Sequence, residues 1–220
     1  LTDDDEEGES LLHEILEQFP HEEEADYLVT TFFIYCGTNF FFFEEKWFRQ
    51  VLRILMTDCG TGKPDATLVC LALLVLALGR SFTHLSQAPC NSSSWVHKVD
   101  TIGMPGAHYF KLAQKLMPQV LATVTLHSLQ VCHLTGIYIG PTNDIEMCYT
   151  YLGLAIRIAV ALSLHWEKNP SELCSRNDEI NRRIFWSTYC MERYAIGFQV
   201  APCPASLTPP KADSLLLRIS

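Results

Sequence analysis

Apolar positions recur at helical spacing along most of the chain, and they are densest from Tyr149 to His165. There Leu152, Ala155, Ile156, Ala159 and Leu162 share one face, while Tyr151, Leu154, Ile158 and Ala161 make a second face apolar too. A helix apolar around most of its circumference is enclosed by protein, so this segment is expected to be the central helix of an all-helical domain. Arg157 is its only charge. A second helix is predicted to start at Asn177-Asp178-Glu179, an N-cap followed by two carboxylates at the positive end of the helix dipole. Asp178 to Arg182 and Glu179 to Arg183 are acid-before-base pairs at i, i+4, which support an exposed first turn. Ile184, Phe185, Thr188, Met191 and Ala195 then turn inward, with Trp186, Tyr189 and Tyr194 adding bulk.

The pattern upstream predicts more helices. Residues 1–24 read as an acidic linker and a short helix, Leu11 to Phe19, capped by Ser10 and stopped by Pro20. Tyr27, Leu28, Thr31, Phe32 and Tyr35 mark a helix from about Ala25 to Tyr35. Phe40 to Phe43 shows no helical stripe and is expected to lie extended beneath the helices, followed by a helix through Met56 that faces Trp47, Val51, Ile54 and Leu55 inward. Asp65 caps a buried helix, Ala66 to Leu78, shorter than the roughly 20 residues a bilayer needs and closed by Gly79-Arg80. Ser81 to Met104 is polar and reads as a surface excursion. Helices are predicted from about Ala107 to Leu116 and Val120 to Ile139, separated by Met117-Pro118. Gly140-Pro141 ends the second, and Asn143 caps the next.

Composition narrows the function. A formal net charge of −9, from 16 Lys and Arg against 25 Asp and Glu, argues against a nucleic-acid surface, which draws on clustered cations. The rings of Phe40 to Phe43 adjoin Glu44 and Glu45, where a single-strand binder would place cations. The nine cysteines include no CxxC step, and Cys70, Cys132, Cys148 and Cys190 are expected to be small core residues. Gly60-Thr61-Gly62-Lys63 lacks the glycine spacing of a phosphate loop, and Pro64 stands where Ser or Thr belongs. His84, Cys90 and His97 match no tight zinc spacing, and His127, Cys132 and His133 share a helix at offsets that do not converge, so both sets read as non-ligating. The opening segment is acidic where a secretory signal would be basic and then apolar; without an initiating Met the chain reads as a fragment.

Tyr-Leu-Gly-Leu-Ala-Ile-Arg-Ile-Ala (Tyr151 to Ala159), the Leu164-His165 end and Arg-Arg-Ile-Phe-Trp-Ser-Thr-Tyr-Cys-Met-Glu-Arg (Arg182 to Arg193) together resemble the fungal-specific transcription factor domain. This is the middle homology region of fungal regulators that bind DNA through a binuclear zinc cluster. Tyr27 to Phe33 and Phe110 to Leu134 resemble its earlier segments, so the resemblance covers roughly 26–200. It singles out Gly153, Arg157, Leu164, His165, Arg182, Arg183, Trp186, Tyr189, Glu192 and Arg193 as motif residues with a structural role.

The fold expected is all-α, an irregular multi-helix bundle and an incomplete copy of a larger helical domain, with the regulatory domain at 25–200 and a diverged or truncated Pro-containing tail at 201–220. The resemblance implies a non-enzymatic regulatory region of a nuclear factor controlling RNA polymerase II transcription. DNA and zinc binding would belong to an upstream segment, with no cofactor in this chain and no membrane role. Dimerisation, a small-molecule effector and co-regulator proteins are the partners it implies. The rivals are an all-α enzyme or ligand-binding domain with an apolar pocket, where His165, Cys174 and Asp178 would form the constellation, and a helical scaffold with no DNA-linked role. Two packing expectations follow: Arg157 is buried and paired with Glu192, Asp178 or Glu179, and an apolar patch stays exposed around Trp186, Tyr189 and Phe198.

Overall fold

The computed structural model describes residues 2–57, 65–86, 104–142, 144–166 and 176–200, with side chains at Gly8 and from Ser10 onward in the first helix and up to Ala195 in the last. Among these residues there are eight α-helices and no strand. They are α1 (Thr2–Glu17), α2 (Glu22–Tyr35), α3 (Glu45–Thr57), α4 (Ala66–Phe82), α5 (Ala107–Leu121), α6 (Leu126–Ile139), α7 (Ile145–Ala161) and α8 (Arg176–Val200). Short 3-10 turns follow α4 and α6. The tail at 201–220, the loop at Gly60 to Lys63, and Cys90, His97, Asn143 and Cys174 lie outside the described residues.

The centre is α4, not α7. The Asp65 carboxylate accepts from the Thr67 amide at 2.8 Å to cap it, and every residue from Val69 to Arg80 is buried. Helices α2, α5 and α6 pack around it. Gly79 does not close the helix but lets α2 approach, since a Cβ there would collide with the Leu28 carbonyl. The helical run continues to Leu85, giving 20 residues apolar enough by composition to cross a membrane, yet 72% of that window is buried inside the fold, as in a core helix. In α7 only Leu152, Ala155, Ile158 and Ala159 are buried, while Tyr149, Arg157, Val160 and Ala161 are exposed. Circumferential apolarity is shared by both helices; the number of neighbours that fold against each is what separates them.

Helix α6 forms the wall between two cores. Its Val131, Leu134 and Tyr138 join the large cluster around α4, whereas Leu129 and Cys132 pack with Ala155, Ile158, Ala159 and Ile184 of α7 and α8. A capping box between Thr125 and Ser128 starts this helix. That cap, and not Met117-Pro118, separates α5 from α6: Pro118 sits inside the last turn of α5, where burial of Met117 and Val120 offsets one missing hydrogen bond. Asp144 caps α7, accepting from Met147 at 3.1 Å.

Other expectations are corrected too. The acidic segment from Thr2 is helical, continuous with the helix that runs to Glu17. In α3 Leu55 is buried and Trp47 and Val51 pack half-buried against the core as expected, but Phe48 and Leu52 form the buried centre of the stripe and Ile54 is half exposed. Phe40 to Phe43 is non-helical as predicted, with Phe42 and Phe43 buried against Phe32. Cys70 and Cys132 are core residues, Cys148 is half-buried and Cys190 is exposed.

Candidate functional site

Helix α8 closes over α7, α6 and the aromatic strap at 40–44. From α6, Gln130 donates its amide to the Phe42 carbonyl at 2.8 Å. Its side-chain oxygen accepts from Nδ1 of His127, 2.9 Å away, and His127 stacks on Trp47 at 5.2 Å. One turn on, Nδ1 of His133 lies 3.2 Å from the Thr188 hydroxyl of α8. Thr188 gives its own proton to the Ile184 carbonyl at 2.9 Å, so His133 is the donor and its proton resides on Nδ1. The Phe42 ring meets His133 edge-on at 5.0 Å, and burial pushes the imidazole down to about 3, which keeps it neutral. Its Nε2 has no hydrogen-bond partner among the described residues.

The same strap holds the start of α8. The Phe41 amide donates to Ser187 Oγ at 2.9 Å, the Arg183 guanidinium lies 4.0 Å above the Phe41 ring, and Arg176 pairs with Glu44 at 2.7 Å. These contacts join segments more than 130 positions apart in sequence, and the strap's short aromatic run was their only advance signal. Arg182 pairs with Glu179 at 2.7 Å, three residues back, while the expected Glu179 partner, Arg183, has turned to Phe41.

The expected pair of Arg157 and Glu192 does not form. Arg157 is exposed on the outer side of α7, and Glu192 is buried with its Oε2 3.1 Å from Nε of the adjacent Arg193. One face of α7 points to water, so its charge needs no buried partner. Gly153 has open space where a Cβ would stand. Leu164 ends α7: its amide bonds the Ala159 carbonyl at 3.0 Å, the Ser163 amide bonds that of Val160 at 2.9 Å, and Ser163 takes a left-handed φ of 57°. His165 follows, exposed, with Phe185 6.1 Å away. Trp186 and Tyr189 are exposed on α8, as expected of the apolar patch, with the exposed Arg193 beside them; Phe198, its third expected member, lies outside the described side chains. No group of three or more His, Cys, Asp or Glu suited to a metal ion occurs among the described residues.

Comparison with known proteins gives this arrangement a context. Residues 29–196 match the fungal specific transcription factor domain. An uncharacterized transcriptional regulatory protein of Schizosaccharomyces pombe is 31% identical over 81% of this chain and 22% of its own length. The thiamine repressible genes regulatory protein thi1 of the same organism is 30% identical over 84% of the chain and 23% of its length. The transcription factor asqA of Emericella nidulans is 28% identical over 69% of the chain and 26% of its length. The chain thus spans about a quarter of the length of these relatives. No solved structure matches it. An all-α bundle closed by the paired motifs of α7 and α8, matched from 29 to 196 and similar along most of its length to fungal transcriptional regulators, belongs to the fungal specific transcription factor domain family.

Proposed function

We propose that this regulatory domain works inside a nuclear transcription factor as a non-catalytic module, while a segment outside the chain supplies zinc and grips DNA. The observation that carries the reading is the family match over 29–196 joined to a net charge of −9, which disfavours a phosphate-binding surface on the domain itself. The name of thi1, a regulator of thiamine repressible genes, supports a small-molecule effector as one input. Dimerisation and co-regulator contacts complete the proposal. The test has two arms: residues 1–220 fused to an unrelated DNA-binding domain should change expression of a reporter carrying its sites, and the chain alone should leave duplex DNA unshifted. An unchanged reporter, or sequence-selective binding that resists salt, overturns the reading.

A further inference from the structure

Helix α8 is attached to the fold differently from the helices around α4. Among the described side chains of this 25-residue helix, one large aliphatic group is buried: Ile184, which packs with Leu129 and Cys132 of α6 and with Ala155, Ile158 and Ala159 of α7. The others buried are Ala195 and two polar residues, Thr188 and Glu192, while Ile180 and Phe185 lie half-buried against the same cluster. In α4, by contrast, every residue from Val69 to Arg80 is buried, and the cluster around it draws side chains from α1, α2, α3, α5 and α6.

Most of what seats α8 is polar. Thr188 meets His133, Ser187 accepts from the Phe41 amide, Arg183 lies over the Phe41 ring and Arg176 pairs with Glu44. Such contacts are exchanged for contacts with water when the helix leaves, so each adds little net stability, and the surface pair of Arg176 and Glu44 adds least. Seating also has a cost. It takes the Glu192 carboxylate out of water with the neighbouring Arg193 beside it, and it covers His133, whose Nε2 has no hydrogen-bond partner among the described residues. A helix with few buried apolar contacts and polar attachments belongs to the part of a fold that opens before the core does.

The helices beneath have their own support. Helices α6 and α7 pack closely, with Leu152 against Gly136, and α6 is anchored to α4 through Val131, Leu134 and Tyr138. We propose that α8 is a movable lid: it opens from α7 and the strap as one unit while the core around α4 stays folded, and its opening uncovers the apolar seam of Leu129, Cys132, Ala155, Ile158 and Ala159. Two arrangements of one helix on a fold that otherwise persists make a two-state element, whose balance shifts with anything that favours one of them.

Hydrogen exchange of residues 1–220, followed by mass spectrometry in urea below the main unfolding transition, tests the lid. Amides from Ile184 to Glu192, away from the helix ends, should show protection factors about 100-fold or more below those from Val69 to Leu78. Val69→Ala, within the α4 core, should lower protection of α4 about tenfold or more and leave that of α8 unchanged, because the lid opens without the core. Ile184→Ala should speed exchange in α8 about tenfold or more. Alkylation of Cys132 should begin at a urea concentration that still leaves Cys70 protected. Equal protection of α8 and α4, or parallel loss of both in Val69→Ala, overturns the proposal, as does labelling of Cys132 and Cys70 in the same urea range. If Val69→Ala does not fold, the wild-type protection factors and the order of the two thiols decide alone.

Discussion

Thr188 of α8 and His133 of α6 meet through a 3.2 Å hydrogen bond across 55 positions of sequence, and that bond sets the proton of a wholly buried imidazole on Nδ1. The folded state holds His133 neutral, far below the ordinary histidine value of 6.5 that applies when the chain unfolds. A depressed histidine contributes stability that is fully present above about pH 6.5 and is lost as pH falls toward the folded value of about 3. From pH 7.5 to 5.5 the site should therefore destabilise the fold by about 1.4 kcal/mol. Urea unfolding at both pH values checks this, with His133→Leu showing a loss smaller by that amount.

The docking of α8 on the strap predicts a coupled pair. Ser187→Ala leaves the Phe41 amide without its 2.9 Å acceptor and should cost about 1–2 kcal/mol. Arg183→Ala removes the cation above the Phe41 ring and should cost about 0.5–1 kcal/mol. Both act through Phe41, so a double-mutant cycle in denaturant should return a coupling of about 0.5 kcal/mol or more. Additivity would mean that the two contacts are independent.

Two glycines should respond with opposite sign. Gly79→Ala drives a methyl into the Leu28 carbonyl where α2 crosses α4, and thermal unfolding should show a loss of about 3 kcal/mol or more. Gly153→Ala enters open space within α7 and should stabilise by about 0.5–1 kcal/mol through helix propensity. Arg157→Ala, on the exposed face of the same helix, should change stability by no more than about 0.5 kcal/mol. A loss of several kcal/mol there would restore the buried pair expected from sequence.

Thiol chemistry reports burial directly. Cys190 is exposed, whereas Cys70 and Cys132 are fully buried and burial pushes the Cys132 thiol up to about 12. Alkylation at mild alkaline pH, mapped by mass spectrometry, should label Cys190 in the native chain and reach Cys70 and Cys132 only after denaturant is added. Early labelling of Cys132 would contradict the packing of α6 against α7 and α8.

Sequence by itself determined the helical class, the buried run after Asp65, the non-helical aromatic strap and the paired motifs that mark the family, because apolar period, caps and short motifs are local properties of neighbouring residues. Only the tertiary structure decided which apolar helix is central. Tyr149 to His165 and Ala66 to Leu78 carry the same signal, but α4 receives α2, α5 and α6 around it while α7 keeps one face in water. The fate of each charge was decided there as well. Arg157 and Glu192 look like a pair on paper, yet the side from which α8 approaches α7 leaves one exposed and gives the other to its neighbour Arg193. The contact of His133 with Thr188 and the seating of Arg183 on Phe41 were illegible for the same reason: they depend on the crossing of elements far apart in the chain, which no local spacing encodes.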